Sequence, residues 1–282
     1  NGRVLAVGVL GNEIYVGGEF QQAGSVVARS VARWDGSAWH SLGVGDDNGV
    51  AGRVHAIGFA HGLVYIGGAF ISAGTTDAAQ IVGWDGSQWV PLHSGNVNPN
   101  GSVRSILVSG NDVYVAGKEF RVDEVIGIVR WDGAAWHNLG EDGGSFYIRQ
   151  VDAMAMYGGE LYVAANYAHP AGRMGQVSRW DGVSWHLAGH VGGVGGINAL
   201  AVFGGKLLVG GDFEEIGDAT AKYLATWDGE SWARAGAGVD GTVIALAAAA
   251  EDLYVSRGFS ASGTPSRLIA RWDGSTWSTL GR

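Results

Sequence analysis

Cysteine is missing from this sequence of 282 residues. Disulfides and thiolate chemistry are thereby excluded, and the fold must be held by packing and hydrogen bonds alone. Proline is scarce, at 4 residues against 50 glycines, which fits many tight turns between short strands better than a disordered low-complexity segment. Basic residues are few as well. With 18 Lys and Arg against 27 Asp and Glu, the net charge of −9 has the wrong sign for a phosphate backbone, so nucleic acid is excluded as a partner. No apolar run reaches the roughly 18 to 20 residues that a membrane helix requires, and Asn1 leads into a strand-like segment with no signal-type hydrophobic region. No membrane insertion is expected. The expected location is secreted or cell-surface, in a bacterium.

What the chain has in abundance is tryptophan in a fixed setting. All twelve occur in six copies of Trp-Asp-Gly-x-x-Trp, namely Trp34/Trp39, Trp84/Trp89, Trp131/Trp136, Trp180/Trp185, Trp227/Trp232 and Trp272/Trp277. The first tryptophans of successive copies lie 50, 47, 49, 47 and 45 residues apart, and a period in that range identifies a repeat architecture.

Aligning the units on this motif recovers four apolar segments in each. Strand a reads Val4–Val7, Val54–Ile57, Val103–Ile106, Val151–Met154, Ile197–Leu200 and Val243–Leu246. A Gly- or Asn-rich turn follows, then strand b, as in Ile14-Tyr15-Val16-Gly17-Gly18. After about ten residues, strand c ends on the first tryptophan and strand d begins with the second. Asp-Gly between them makes a tight reversal, because Asp bonds a backbone amide two residues on and Gly supplies positive φ. The two indoles then face each other as a cross-strand pair.

Four antiparallel strands repeated six times predict an all-β fold, a six-bladed β-propeller forming one domain over residues 1–282. The blades fall at about 1–43, 51–93, 101–140, 148–189, 195–236 and 241–282. The chain opens on strand a and closes on strand d, so the blades run in a-b-c-d phase with no interlocking terminal strand.

The Gly-Gly doublets and the strand-d tryptophan resemble the kelch repeat. The fuller phrase from Ile14 to Leu42 is more similar to the repeats of fungal cortical cell-polarity marker proteins and their bacterial relatives. The resemblance spans all six units and implies the fold. It implies no single activity, because such repeats serve adhesion, scaffolding and catalysis alike. The sialidase Asp-box does not match, since Asp35 and Trp39 are four apart with Gly adjacent to the Asp, and the Gly-His half of a WD repeat is missing.

The a–b and c–d turns are short and uniform, whereas the d–a and b–c connections are longer and differ between blades, which puts the expected functional face at their end. The repeat departs most at the second position of strand a, which reads Leu5, His55, Arg104, Asp152, Asn198 and Ile244 round the blades. With Arg3, Arg53 and Gln150, these side chains are expected at the mouth of the axial channel. Such a cluster fits ligand binding or acid–base work, or else merely solvates a wet bore. A second ring follows strand b at Glu19, Ala69, Lys118/Glu119, Asn166, Asp212 and Gly258. Arg257 breaks the small-residue pattern and is expected either to pair with Asp212 or to hold a substrate carboxylate.

Asp46, Asp47 and Asn48, or Glu141 and Asp142, offer calcium-type oxygens without a matching loop, and no histidine spacing suits zinc. No metal and no cofactor are expected. His40, His137 and His186 recur after the strand-d tryptophan as a repeat position. The tryptophans read as packing between blades rather than as sugar-stacking platforms.

The leading expectation is a binding module that recognises a small polar molecule, glycan or protein through the variable-loop face. The alternative is a hydrolase, lyase or cyclase using His55 or Asp152 as acid/base, with Arg104 and Arg53 clamping an anion. A further alternative is a structural repeat segment of a surface protein.

Overall fold

The computed structural model describes every residue except 79, 93–100, 123–124, 140–149, 240, 257–258, 262–263, 267–268 and 281–282. Two compact units divide the chain at Leu139 and Gly140. Each contains three antiparallel sheets, one per blade, whose strands a to d pair in chain order; the blade-2 sheet adds Thr76–Asp77 as a fifth strand, and strand d of blade 4 pairs on with Glu215–Ile216 of the blade-5 b–c hairpin. In unit one they are Arg3–Leu10, Glu13–Glu19, Val31–Trp34 and Trp39–Ser41 (blade 1); Val50–Ala60, Leu63–Ala73, Ile81–Trp84 and Trp89–Pro91 (blade 2); and Ser102–Ser109, Asp112–Lys118, Val129–Trp131 and Trp136–Asn138 (blade 3). In unit two they are Val151–Tyr157, Glu160–His169, Gly172–Trp180 and Trp185–Gly192 (blade 4); Ile197–Phe203, Lys206–Gly211, Leu224–Trp227 and Trp232–Arg234 (blade 5); and Ala245–Ala249, Asp252–Ser256, Ile269–Trp272 and Trp277–Leu280 (blade 6). The fold class is that of a six-bladed β-propeller. Among the described residues the helical content is one 3-10 turn, Gly45–Asp47, and no helix is long and apolar enough to cross a membrane.

Within each unit the apolar core lies between neighbouring blades. Val31, Val54, Ile66 and Val82 belong to one such layer, and Tyr65, Val103, Val115 and Val129 to the next. The same layering joins blades 4 and 5, and blades 5 and 6.

The Trp-Asp-Gly motif closes every c–d hairpin in one way. The paired tryptophans sit directly opposite in the ladder, as Trp34↔Trp39 and Trp84↔Trp89. Their ring centroids are 4.8 Å apart in blade 2 and 5.3 Å apart in blade 1, worth about 0.5–1.5 kcal/mol per pair beyond burial. Asp35 Oδ1 accepts from the backbone amides of Ser37 and Ala38, both at 2.8 Å. Gly36 takes the left-handed φ of 98° that the reversal requires. His40, His137 and His186 each place Nε2 2.6 Å from the motif aspartate of their own blade, so this repeating histidine belongs to the turn.

In blades 2, 3 and 5 the second tryptophan also reaches back toward the preceding blade. Trp89 Nε1 donates to the Asp47 carbonyl at 2.8 Å, Trp136 Nε1 to Leu92 at 2.5 Å and Trp232 Nε1 to Ala188 at 2.8 Å. An indole occupied in this way is a staple between blades, and its ring is not presented to a sugar.

The turn aspartates make the hairpins resistant to acid. At Asp85 the backbone amide of Gln88, followed by the Ser87 amide and hydroxyl, holds the carboxyl down to about 2. An unfolded aspartate titrates near 4. Because the folded value is depressed, the stabilisation is present above about pH 4 and is lost as pH falls through about 2. A carboxyl-detected NMR titration should find the Asp85 midpoint near 2, and a midpoint near 4 would show that the turn does not hold its aspartate in this way.

The b–c connections are more regular than their variable sequences suggest. In five blades each contains a second small antiparallel ladder, such as Gln22–Ala23 against Val26–Val27 in blade 1 and Glu215–Ile216 against Ala219–Thr220 in blade 5. Blade 4 differs. Its strands b and c run on as one long hairpin, from Leu161↔Trp180 to His169↔Gly172.

Candidate functional site

Strand a carries a one-residue bulge in five blades, and it falls on the position where the repeat varies. The register against strand b skips from Val4 to Ala6, Val54 to Ala56, Val103 to Ser105, Val151 to Ala153 and Ile197 to Ala199. The skipped residues are Leu5, His55, Arg104, Asp152 and Asn198. A bulged residue has no ladder partner, so its side chain is freed from the in–out alternation of the strand, an arrangement common next to binding sites.

The glycine doublet of strand b makes room for this bulge. A methyl group at Gly18 would collide with the Arg3 carbonyl, at Gly68 with the Arg53 carbonyl and at Gly211 with the Gly196 carbonyl. At the first glycine of the pair the obstacle is the next blade. Methyl groups at Gly17, Gly67 and Gly210 would strike Val54, Val103 and Val243. One glycine therefore fits the bulge and the other fits the neighbouring sheet.

The bulge residues of unit two are locked into a hydrogen-bond network. Asp152 accepts from Gln150 Nε2 at 2.9 and 3.0 Å, from Asn166 Nδ2 at 2.7 Å and from Arg173 at 3.3 Å. Asn166, only 3% exposed, also donates to the Ile197 carbonyl at 2.6 Å and accepts the Ile197 amide at 2.9 Å. Arg173 reaches Asn198 Oδ1 through both terminal nitrogens at 3.1 Å, and Asn198 Nδ2 donates to the Val243 carbonyl at 2.7 Å. Asp212 lies 3.8 Å from Arg173 and accepts the Gly196 amide at 2.5 Å. This set ties blade 4 to blade 5 and blade 5 to the start of blade 6. Arg173 escaped the sequence reading because only the extended blade-4 hairpin brings it to the bulges.

The polar residues of unit one keep more of their reach. Arg53 is paired with Glu19 at 3.1 Å, with side chains 58% and 48% exposed. Arg3 stands opposite Glu19 in the blade-1 ladder and is exposed. His55 is half-buried. Burial first, then the charges of Arg104 and Arg53, hold its imidazole below the ordinary value, against an opposing pull from Glu19, so it is neutral at pH 7.

Between blades 1 and 2, Glu19 and Arg53 open onto a cleft of about 730 Å³ whose walls include Asn1, Gln21, Phe20, Arg29 and Val50. Its floor is rigid. Val50 N donates to the Arg29 carbonyl at 3.0 Å, and Asn48, itself buried, accepts the Arg29 amide at 3.3 Å and donates to the Val27 carbonyl at 2.9 Å. Asp47 Oδ1 binds the amide and hydroxyl of Thr75 at 3.0 and 2.7 Å. The Asp-rich loop considered for calcium thus commits Asp47 and Asn48 to loop structure. Among the described residues no group of three or more acidic residues or histidines is arranged to hold a metal ion. Arg257, Gly258, Glu141 and Asp142 lie outside the described residues.

The structure therefore brings Glu19 and Arg53 together at the cleft, with Arg3 opposite Glu19 in the ladder and with His55 within the influence of Arg53 and Arg104, and separately brings Gln150, Asp152 and Asn198 together with Arg173. Arg29 was missed because its strand-c approach carries no repeat signal; its exposure at the cleft depends on the loop that Asn48 fixes.

No curated protein matches the chain in sequence. Among solved structures, the computationally designed Ika8 protein is similar at 15% identity with a TM-score of 0.54, covering 98% of this chain and 85% of that one. YCF48 bound to D1 peptide is similar at 13% identity with a TM-score of 0.57, covering 96% and 78%. At such identities the likeness is one of fold. Residues 4–161, more than half of the chain, match the family described as the Rax2 C-terminal beta propeller domain, Rax2 being a fungal cell-polarity factor. The chain belongs to the Rax2 C-terminal β-propeller domain family.

Proposed function

We propose that the chain is a peptide- or protein-binding module whose recognition surface is the cleft between blades 1 and 2, at the end of the blades carrying the b–c hairpins and d–a loops. The fold is consistent with a binding module, and one structural neighbour is a propeller solved with a peptide bound. The observation that carries the reading is the cleft itself, open and rigid-floored, with two arginine side chains on its wall. Its place along a blade junction suits a strand of polypeptide better than a sugar, since the tryptophans that would stack on a sugar are paired in their hairpins. Asp152, surrounded by donors from Gln150, Asn166 and Arg173, gives no support to the acid/base alternative.

Selection from a phage-displayed random peptide library against the immobilised chain should enrich a family of sequences. A photo-crosslinking residue placed at Ala51 should then capture them. Enriched peptides that crosslink only at positions remote from the cleft would exclude it as the recognition surface.

A further inference from the structure

We propose that the blade 1–2 cleft is built for a carboxylate-bearing, acidic peptide segment, and that Glu19 occupies the ligand's place on Arg53 until such a segment displaces it. This rests on the binding reading above and goes further, in naming the ligand chemistry and an internal competitor.

The charges carry the argument. In a protein with a net charge of −9, the cleft and its margin bring Arg3, Arg29 and Arg53 against one carboxylate, Glu19, with Arg104 close enough to act on His55. Arg29 has no ion-pair partner among the described residues. Glu19 therefore balances one of three arginines, and His55 adds no charge at neutral pH. On an otherwise acidic protein this local excess of arginines makes the cleft the place where the field favours an anion.

The existing ion pair is suited to exchange. It is about half exposed on both sides with a closest approach of 3.1 Å, and exposed pairs of this kind contribute about 0–1 kcal/mol. Arginine presents a fork that matches a carboxylate through two parallel hydrogen bonds, a geometry that a mobile peptide carboxylate can adopt. An incoming Asp, Glu or chain-terminal carboxylate can take that geometry on Arg53, while a second acidic group meets Arg29 across the cleft. The adjoining backbone favours an extended segment, because Ala51 sits in a second bulge of blade 2, between Val50 and Gly52, and leaves backbone groups out of the ladder.

The test uses fluorescence anisotropy with fluorescein-labelled, end-capped hexaglutamate, and hexalysine as its counterpart. Hexaglutamate should bind and hexalysine should not, with affinity falling as salt rises. Arg53→Ala should weaken binding about tenfold, and Arg29→Ala should also weaken it. Glu19→Gln should tighten binding about threefold, and this gain should vanish in the Glu19→Gln/Arg53→Ala double variant. Unchanged melting temperatures would show that the variants are folded, and Arg53→Lys, which keeps the charge but not the fork, should fall between wild type and Arg53→Ala. Inorganic phosphate displacing the probe at lower concentration than glutarate would overturn the carboxylate assignment. Library peptides that crosslink at the cleft without enrichment in Asp or Glu, and whose affinity ignores Glu19→Gln and Arg53→Ala, would overturn this inference and leave the binding reading intact. No cleft-binding peptide of any composition would remove both.

Discussion

Gly68→Ala should destabilise the chain by about 3 kcal/mol, although it adds one methyl group to a β-strand. The added carbon would collide with the Arg53 carbonyl and press on the Arg53 carbon and Val54 Cα, all of them backbone atoms. A flexible side chain could swing aside, but here relief requires the bulge at His55 to be undone and the blade-2 register to shift. The control is Gly11→Ala. That glycine has a φ of 60° with nothing within 4 Å of the added carbon, so its cost is the left-handed conformation alone, about 1–2 kcal/mol. Urea unfolding of both variants measures the difference. Equal losses would show that the doublet glycine serves turn-like backbone freedom rather than clearance for the bulge. Because Arg53 and His55 flank the displaced carbonyl, Gly68→Ala should also weaken capture of cleft-binding peptides, whereas Gly11→Ala should not.

The second large effect is expected at Asn166. Its replacement by leucine, of similar size, deprives the Ile197 amide of its acceptor and Asp152 of its shortest donor contact, in a place that is 3% exposed. A buried unsatisfied amide costs about 1–3 kcal/mol, and a lost hydrogen bond to a charged group about 1.5–3. The combined loss should be about 3–5 kcal/mol, visible as a lower urea midpoint. Asn166→Asp tests the chemistry further. It keeps an acceptor for Ile197 but sets a second carboxylate against Asp152, so its stability should recover in part as pH falls and one of the two protonates. A loss below about 1 kcal/mol in Asn166→Leu would mean that Arg173 and Gln150 hold the network without it.

The sequence made the blades legible because the motif signals a local event. Trp-Asp-Gly-x-x-Trp dictates a hairpin within six residues, and six such hairpins at a near-constant period leave little freedom in how the intervening strands pair. The variable position of strand a was equally visible as a pattern. Its structural meaning was not, because a bulge exists only relative to a partner strand, and two-against-one register cannot be read from one strand's alternation. The glycine doublet held the missing hint, since both its members matter through what approaches them from elsewhere.

The candidate site divided for the same reason. Gln150, Asp152, Asn198, His55 and Arg104 are chemically alike as a set of polar residues, and composition alone treats them as one arc. Their fates differ through residues off the repeat. Arg173 and Asn166 consume the polar groups of blades 4 and 5, whereas Arg53 near His55 meets only an exposed glutamate. The b–c segments were expected to be variable loops, and their sequences do vary, but backbone pairing such as Ala23↔Val26 and Ile216↔Ala219 is indifferent to most side chains.

The bulges also bear on how such a chain can change. Leu5, His55, Arg104, Asp152 and Asn198 stand in one register position of five sheets, yet the sheets pair without them. An aliphatic, an imidazole, a guanidinium, a carboxylate and an amide already occupy it on the same backbone. For a protein engineer positions 5, 55 and 104, which lie outside the blade-4 and blade-5 network, are rewritable letters in an otherwise fixed text: randomising them together should alter what the first unit recognises while its hairpins stay as they are.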